Sequence, residues 1–201
     1  FECVAPSARY QVVEGAEVQA GVDDPFIRVL PRPPAAGLEP AEVVRGFLAA
    51  SASFEDDHAV ARLYLTPEAA ASWDATSGVT VYDDDRGITV TADGAAVEVA
   101  ADAEAAIDAD GLLSPGRRRP VRLDFGLERS GREWRIASLP DGLLLSRTDV
   151  ARAFRPFDLY FLSPEGDRLV PDPVFIPLAR PGAATSLVRA LIDGPTPWLA
   201  P

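Results

Sequence analysis

One histidine, one cysteine and thirty-one carboxylates are what this chain offers to chemistry. The histidine, His58, sits in Glu55-Asp56-Asp57-His58. To serve as a general base it needs a nucleophile within hydrogen-bond reach and an acid that orients it. No serine lies in a G-x-S-x-G elbow, so His58 reads as a surface residue or a helix cap. Paired carboxylates could act as acid and base, but an acid inside a strand interrupts the apolar alternation, and none plainly does. Asp83-Asp84-Asp85 offers oxygens of the kind calcium wants, without the D-x-D-x-D-G-x5-E loop that arranges them; a solvated turn is expected. Asp102, Glu104, Asp108 and Asp110 fall on alternate positions, as the wet face of a strand able to meet a basic partner. Arg117-Arg118-Arg119 is a short basic run, read as a solvated loop or, more sharply, as an interaction patch. Neither a G-x-G-x-x-G fingerprint nor a Walker loop appears. The expectation is therefore a chain without catalytic residues, metal or cofactor, whose candidate contacts are Arg117, Arg118, Arg119, Asp102 and Glu104. Trp73, Trp134, Tyr64 and Phe47 could line a small-ligand pocket, but their spacing is that of core residues.

The charge balance narrows the partners. A net charge of −12 with pI near 4.5 opposes a phosphate backbone, because nucleic-acid binders concentrate positive charge to release counterions. The same sign opposes adhesion to anionic lipid head groups. All 19 basic residues are Arg, and Lys, Met and Asn are absent, a usage that fits a GC-rich genome. Phe1 in the place of an initiating methionine gives the expectation of a processed or excised chain. Cys3 can form neither an intramolecular disulfide nor a cysteine metal cage. Its place matters more, because bacterial lipoproteins are cut just before a cysteine that then carries the lipid. A stretch rich in Pro, Ser, Glu, Gly and Asp follows through Gly37, as a tether would, although Phe1-Glu2 depart from the small residues expected ahead of such a site. No apolar run approaches the roughly 20 residues that span a bilayer, so anchoring is expected through lipid alone.

The elements that must position these groups follow from periodicity. Residues 1–37 read as an extended leader, with at most one short strand at Phe26 to Leu30 between helix-breaking prolines. From Leu38 to residue 147 the chain reads as one domain. Pro40 opens a helix whose buried side is Val43, Val44, Phe47, Leu48 and Ser51. Asp56 or Asp57 caps a second, burying Val60, Ala61, Tyr64 and Leu65. Thr66-Pro67-Glu68 starts a third that continues through Ala69, Ala70 and Trp73. After Gly78 the period becomes 2: Val79/Val81, Ile88/Val90, Val97/Val99, Val121/Leu123/Phe125/Leu127 and Trp134/Ile136 predict an antiparallel sheet with one buried face. Helices followed by a strand meander give an α+β class, with N-terminal helices packed on a curved sheet in the manner of the nuclear-transport-factor-2-like or cystatin-like cone. Residues 148–201 read as a linker helix capped by Thr148, two strands around Asp158–Leu162 and Leu169–Leu178, and a helix over Ala183–Ile192 that presents Leu187, Val188, Leu191 and Ile192 on one face. Two strands and a helix do not close a core, so this unit is either incomplete or uses the first domain as a platform.

Two segments carry a family resemblance. Val44-Arg45-Gly46-Phe47-Leu48-Ala49-Ala50, with Ala61-Arg62-Leu63-Tyr64-Leu65-Thr66 and Trp73, resembles the N-terminal domain of the LpqB family of actinobacterial accessory lipoproteins. Trp134-Arg135-Ile136, Leu139-Pro140-Asp141-Gly142, and Leu159-Tyr160-Phe161 to Val170-Pro171-Asp172-Pro173 resemble that family's passage into a second domain. This domain is similar to the sporulation and germination module GerMN, whose helix end Ile192-Asp193-Gly194-Pro195 fits. The resemblance implies a lipoprotein on the outer face of the cytoplasmic membrane, lipidated at Cys3. It implies contact with the extracytoplasmic domain of the sensor histidine kinase of the MtrAB two-component system, and it carries over no catalytic residue. A small-ligand sensor that binds a lipid or cell-wall fragment in the cone cavity is the alternative.

Overall fold

In the computed structural model of the protein, the residues described are 31–163, 166–177 and 183–195. Three short helices come first. Helix α1 (Pro40–Ser51) begins where Pro40 takes the first helical position, and the Glu42 carboxylate accepts from the Glu39 N–H at 2.9 Å. That bond satisfies an otherwise orphaned terminal donor. Helix α2 is only Ala59–Arg62, because the three residues before it are left-handed and cut the helical run short. Helix α3 (Pro67–Ser72) starts as the sequence predicts, with the Thr66 hydroxyl accepting from the Ala69 N–H at 3.2 Å.

The helices lie on a six-stranded sheet. Its strands are β1 (Gly78–Tyr82), β2 (Ile88–Asp93), β3 (Ala96–Asp108), β4 (Leu113–Ser130), β5 (Glu133–Ser138) and β6 (Leu143–Ser146); five run in the order β5-β4-β3-β1-β6, and β2 pairs with β3 off that path. Strand β3 is long enough to pair with β2 along Ala96–Ala101 and with β1 along Ala103–Asp108, while β4 follows its opposite edge. Burial alternates along β3 as the two-residue period requires: Val97, Val99, Ala101, Ala103 and Ile107 are buried. Phe47 projects from α1 into this face, its ring centroid 5.1 Å from Trp73 and 6.1 Å from Phe125, both edge-on. Burying a side chain of this size is worth about 1.5–3 kcal/mol.

Three features depart from the sequence expectation. Strand β6 pairs with β1 in parallel, so the sheet is mostly and not wholly antiparallel. Leu143, Leu144 and Leu145 are all buried and show no alternation by which pairing could be read. Arg117-Arg118-Arg119, expected as a loop, lies inside β4. Helix α4 (Arg147–Ala153) is capped by Ser146 and not Thr148: the Ser146 hydroxyl accepts from the Asp149 N–H at 3.0 Å and donates to the Asp149 carboxylate at 2.8 Å.

Beyond α4, β7 (Phe154–Leu162) and β8 (Leu169–Pro177) form a separate antiparallel pair, and α5 (Ala183–Asp193) packs on it. Val174, Ile176 and Ala190 are its buried centre, completed by Leu112, Leu159 and Leu187. Leu112 belongs to the β3–β4 connection, so the pair does lean on the larger sheet. The Phe175 N–H donates to the Gly111 carbonyl at 2.7 Å. Gly111 has φ +88°, and a Cβ there would stand 2.5 Å from the Phe175 carbonyl oxygen. On α5, Leu187 turns inward while Val188, Leu191 and Ile192 are exposed, so the four do not share one buried face.

Candidate functional site

Most of the candidate residues meet around a carboxylate that sequence reading placed in a solvated turn. Asp83 follows Val79 and Val81 on the inward face of β1, and its side chain is only 4% exposed. Its main-chain N–H donates to the Asp102 carbonyl at 3.2 Å. The carboxylate receives an Arg118 guanidinium nitrogen at 2.8 Å, one from Arg147 at 3.5 Å, and the Asp85 N–H at 3.0 Å. Arg147 also lies 3.5 Å from Glu104 and 3.7 Å from Asp84. Asp84 in turn accepts from the Thr148 N–H at 3.2 Å. One buried acid thus joins the β1–β2 turn, the β3–β4 pair and the start of α4. The turn is there, at residues 84–86, but Asp83 at its start is not solvated: a buried charge is tolerated when it is paired and hydrogen-bonded, and Asp83 is both.

A bulge makes the meeting possible. Ala103 pairs with Arg119 and Ala105 with Pro115, so Gly116, Arg117 and Arg118 stand opposite the single residue Glu104. The extra residues bend the strand and bring Arg118 to Asp83. Arg119 is exposed and takes part in no ion pair among the described residues. Arg117 lies in the same bulge. Asp102 pairs with Arg86 at 3.0 Å. Cys3 lies outside the described residues. Sequence reading missed Asp83, Asp84, Arg86 and Arg147 as partners in this cluster. The signal for Asp83 was present, since it continues the i, i+2 series of Val79 and Val81.

Burial acts most strongly on Asp84 and opposes its ionisation. Hydrogen bonds from Ser146 and Thr148 and the charge of Arg147 outweigh it, and the pKa falls below the usual carboxylate value. The face of the sheet away from the helices carries Glu98, Asp102, Glu104, Arg122 and Asp124, with Arg122 forking onto both Glu98 oxygens at 2.7 and 2.9 Å. At another edge, a shallow depression of about 310 Å3 is bordered by Thr80, Ala106, Asp108, Ser114 and Asp141. Asp108 and Asp141 each already accept backbone N–H groups there. Among the described residues no group of three or more His, Cys, Asp or Glu side chains converges as a metal ion would need.

His58 is not at the surface. It is 5% exposed, with its ring centroid 4.8 Å from Phe54 and 5.8 Å from Trp73. Asp56, Asp57 and His58 have φ of 47°, 53° and 58°, three consecutive left-handed residues without a glycine. That conformation costs roughly 1–2 kcal/mol per residue. His58 does stand at the N-cap position of α2, without a side-chain capping bond. Its Nδ1 is buried and has no hydrogen-bond partner among the described residues. Burial lowers its pKa; Asp57 and backbone groups of Ser51 and Ser53 oppose the shift, and Arg62 adds to it. Phe47, Tyr64 and Trp73 are core residues, as their spacing predicted, and Trp134 packs against that core half-buried.

Comparison with known proteins adds what geometry does not. The family model described as lipoprotein LpqB, N-terminal domain, matches residues 33–151, which hold all three N-terminal helices, the whole six-stranded sheet and most of α4. A lipoprotein LpqB from Thermobifida fusca is 42% identical over 195 residues, covering 90% of this chain and 31% of that protein. Relatives of the same name from Cutibacterium acnes and Rhodococcus opacus are 37% and 36% identical, with 84% of this chain covered in each. The chain spans about a third of the length of these relatives. No solved structure matches it.

Proposed function

This chain belongs to the LpqB lipoprotein family, and from that membership we propose that it is the partner-binding part of an extracytoplasmic lipoprotein that adjusts a sensor histidine kinase. In this reading the protein is not an enzyme. Lipid on Cys3 holds it at the outer face of the cytoplasmic membrane, and residues 1–37 are the tether. Residues 38–147 form the cone-like domain, and residues 148–201 form a linker helix and part of a GerMN-like unit. Among the described residues no helix is long and apolar enough to cross a membrane.

The observation that carries the proposal is the family match over the helices and sheet. The outer face of that sheet supports it, since Asp124, exposed there, suits a basic patch on a partner. Between α1 and the sheet, the rings of Phe47, Trp73 and Phe125 occupy the space that a cone cavity for a small ligand would need, so the ligand-sensor reading is not adopted. Exposed Tyr160, Leu162 and Leu169 on the β7–β8 pair fit a unit whose apolar surface more chain would cover.

The test is a calorimetric titration of the chain with the extracytoplasmic domain of the cognate sensor kinase at low and high salt. Saturable binding that weakens with salt is expected. A folded chain that shows no binding heat would overturn the kinase reading. Intact mass of the membrane-extracted protein checks the anchor, and a Cys3 lacking diacylglyceryl would remove it.

A further inference from the structure

We propose that His58 is a pH-sensitive latch: as a neutral imidazole it holds the Phe54–His58 segment closed over the core, and on protonation the segment opens and releases Phe54 from the start of β7. The geometry supplies a spring, a catch and something to release. The spring is the run of three left-handed residues, Asp56, Asp57 and His58, in a backbone region that only packing around them sustains. The catch is the His58 ring, seated edge-on against Trp73 and tilted on Phe54. Phe54 is released: its ring meets Phe154, the first residue of β7, edge-on at 5.2 Å. Opening the segment therefore withdraws a contact between the helical layer and the strand that leaves the larger sheet.

Protonation is selective for the open form because burial of the closed ring outweighs what its surroundings offer a second N–H. Nδ1 is buried with no partner among the described residues, and the Trp73 Nε1 on the neighbouring ring is likewise unpartnered. The charged and polar groups that reach the ring come from three elements. Asp57, on its own turn, favours the charged form, as do backbone groups of Ser51 and Ser53 at the end of α1. Arg62, on α2, disfavours it, and Arg62 is itself held by the Asp57 carboxylate at 3.0 Å. The end of α3 contributes Trp73 and β7 contributes Phe154, neither of them charged. Desolvation outweighs the favourable groups, so the closed form prefers the neutral ring.

The sign follows. The open segment takes up a proton near the ordinary histidine value of about 6.5, and the closed one only at lower pH. Between the two, each unit of acidification raises the open-to-closed ratio up to tenfold, one proton being linked to opening. Above about 6.5 the latch is insensitive to pH.

Since His58 is the only histidine, its ring resonances are unambiguous in a proton NMR titration of the 201-residue chain. That titration is run alongside amide hydrogen exchange at residues 54–62 and, as a reference, at Val97 and Val99. The expected result is a midpoint below 6.5, with protection factors at 54–62, taken against the intrinsic exchange rate at each pH, falling up to tenfold per unit between 6.5 and that midpoint while those of Val97 and Val99 hold. In the His58→Gln variant this pH dependence should disappear. A midpoint at or above 6.5 would overturn the latch, as would Val97 and Val99 losing protection in step with residues 54–62, or an unchanged pH course in the variant. If His58→Gln does not fold, the wild-type midpoint and the comparison of the two amide groups decide alone.

Discussion

Truncating Asp83 tests whether the ion cluster holds the sheet to α4 or merely decorates it. The Asp83 carboxylate is 4% exposed and receives Arg118 at 2.8 Å, whereas Arg118 is 52% exposed. A hydrogen bond to a charged group contributes about 1.5–3 kcal/mol net, and the half-exposed arginine places this pair at the lower end. Arg147, at 3.5 Å and 58% exposed, adds what a surface pair adds, about 0.2–1 kcal/mol. Asp83→Ala should therefore cost about 2–3 kcal/mol, because both arginines can turn to solvent once it is gone. Arg118→Ala should cost a similar amount for a different reason: it leaves a buried carboxylate with only Arg147 and the Asp85 N–H. In the double variant the second substitution should add little, giving a coupling close to one single cost, about 2–3 kcal/mol, in a urea-denaturation cycle. Arg122 and Glu98 supply the control, since they are more exposed and should couple more weakly. High salt should erase the control coupling and leave most of the Asp83 coupling, because buried pairs are screened less. An Asp83–Arg118 coupling no larger than the control, or one that vanishes with salt, would refute the reasoning.

Other outcomes follow from close contacts and titration. Gly46→Ala should destabilise the protein by about 1–3 kcal/mol by urea denaturation, although Ala in a helix interior ordinarily gains up to about 1 kcal/mol. A Cβ at this point of α1 would stand 2.5 Å from the Tyr64 ring, and a stabilised variant would refute that packing. Gly111→Ala should speed amide exchange at Phe175 and leave Val97 protected, since the added methyl strikes the Phe175 carbonyl and residue 111 has φ +88°. Equal exchange at both sites in the two proteins would refute this. The stability advantage of wild type over His58→Gln should shrink as pH falls below about 6.5, by up to about 1.4 kcal/mol per unit. Taking the difference cancels the relief of self-repulsion as the chain approaches its pI near 4.5.

What the sequence discloses and what it hides divide along physical lines. Strand β3, the Val121–Leu127 part of β4 and helices α1 and α3 were legible, because buried apolar residues there alternate with polar ones or follow a marked cap. Strand β6 was not, since three adjacent buried leucines carry no period. Asp83 and His58 were misread for the same reason: local polarity suggests solvent, and only tertiary partners make burial tolerable. For Asp83 those partners are Arg118, from 35 positions on, and Arg147, from 64 positions on. The bulge opposite Glu104 was hidden as well, and it alone sends Arg118 to Asp83 while Arg119 pairs across the strand with Ala103. Residue types named the candidates; register decided which of them meet.

That sorting also says where a partner would bind. Arg118, Glu104 and Asp102 were candidates because their charges lay in patterned runs, but the fold uses those charges internally. A partner competing for Arg118 must strip a buried carboxylate of its nearest cation, at a cost comparable to the coupling above. Asp124 is different: it is exposed beside Arg122 on the outer face of the sheet, and the cluster does not depend on it. Charge reversal there, Asp124→Lys, should leave the urea midpoint nearly unchanged, since exposed substitutions of this kind stay within about 0.5 kcal/mol. If a basic partner approaches this face, the same change should slow association and flatten its salt dependence, because rim charges act mainly through encounter rate. Stopped-flow association with the sensor domain reads both. An Asp124→Lys variant that associates as fast as wild type at low salt would move the contact off this face, leaving the Asp83 cluster a structural joint and nothing more.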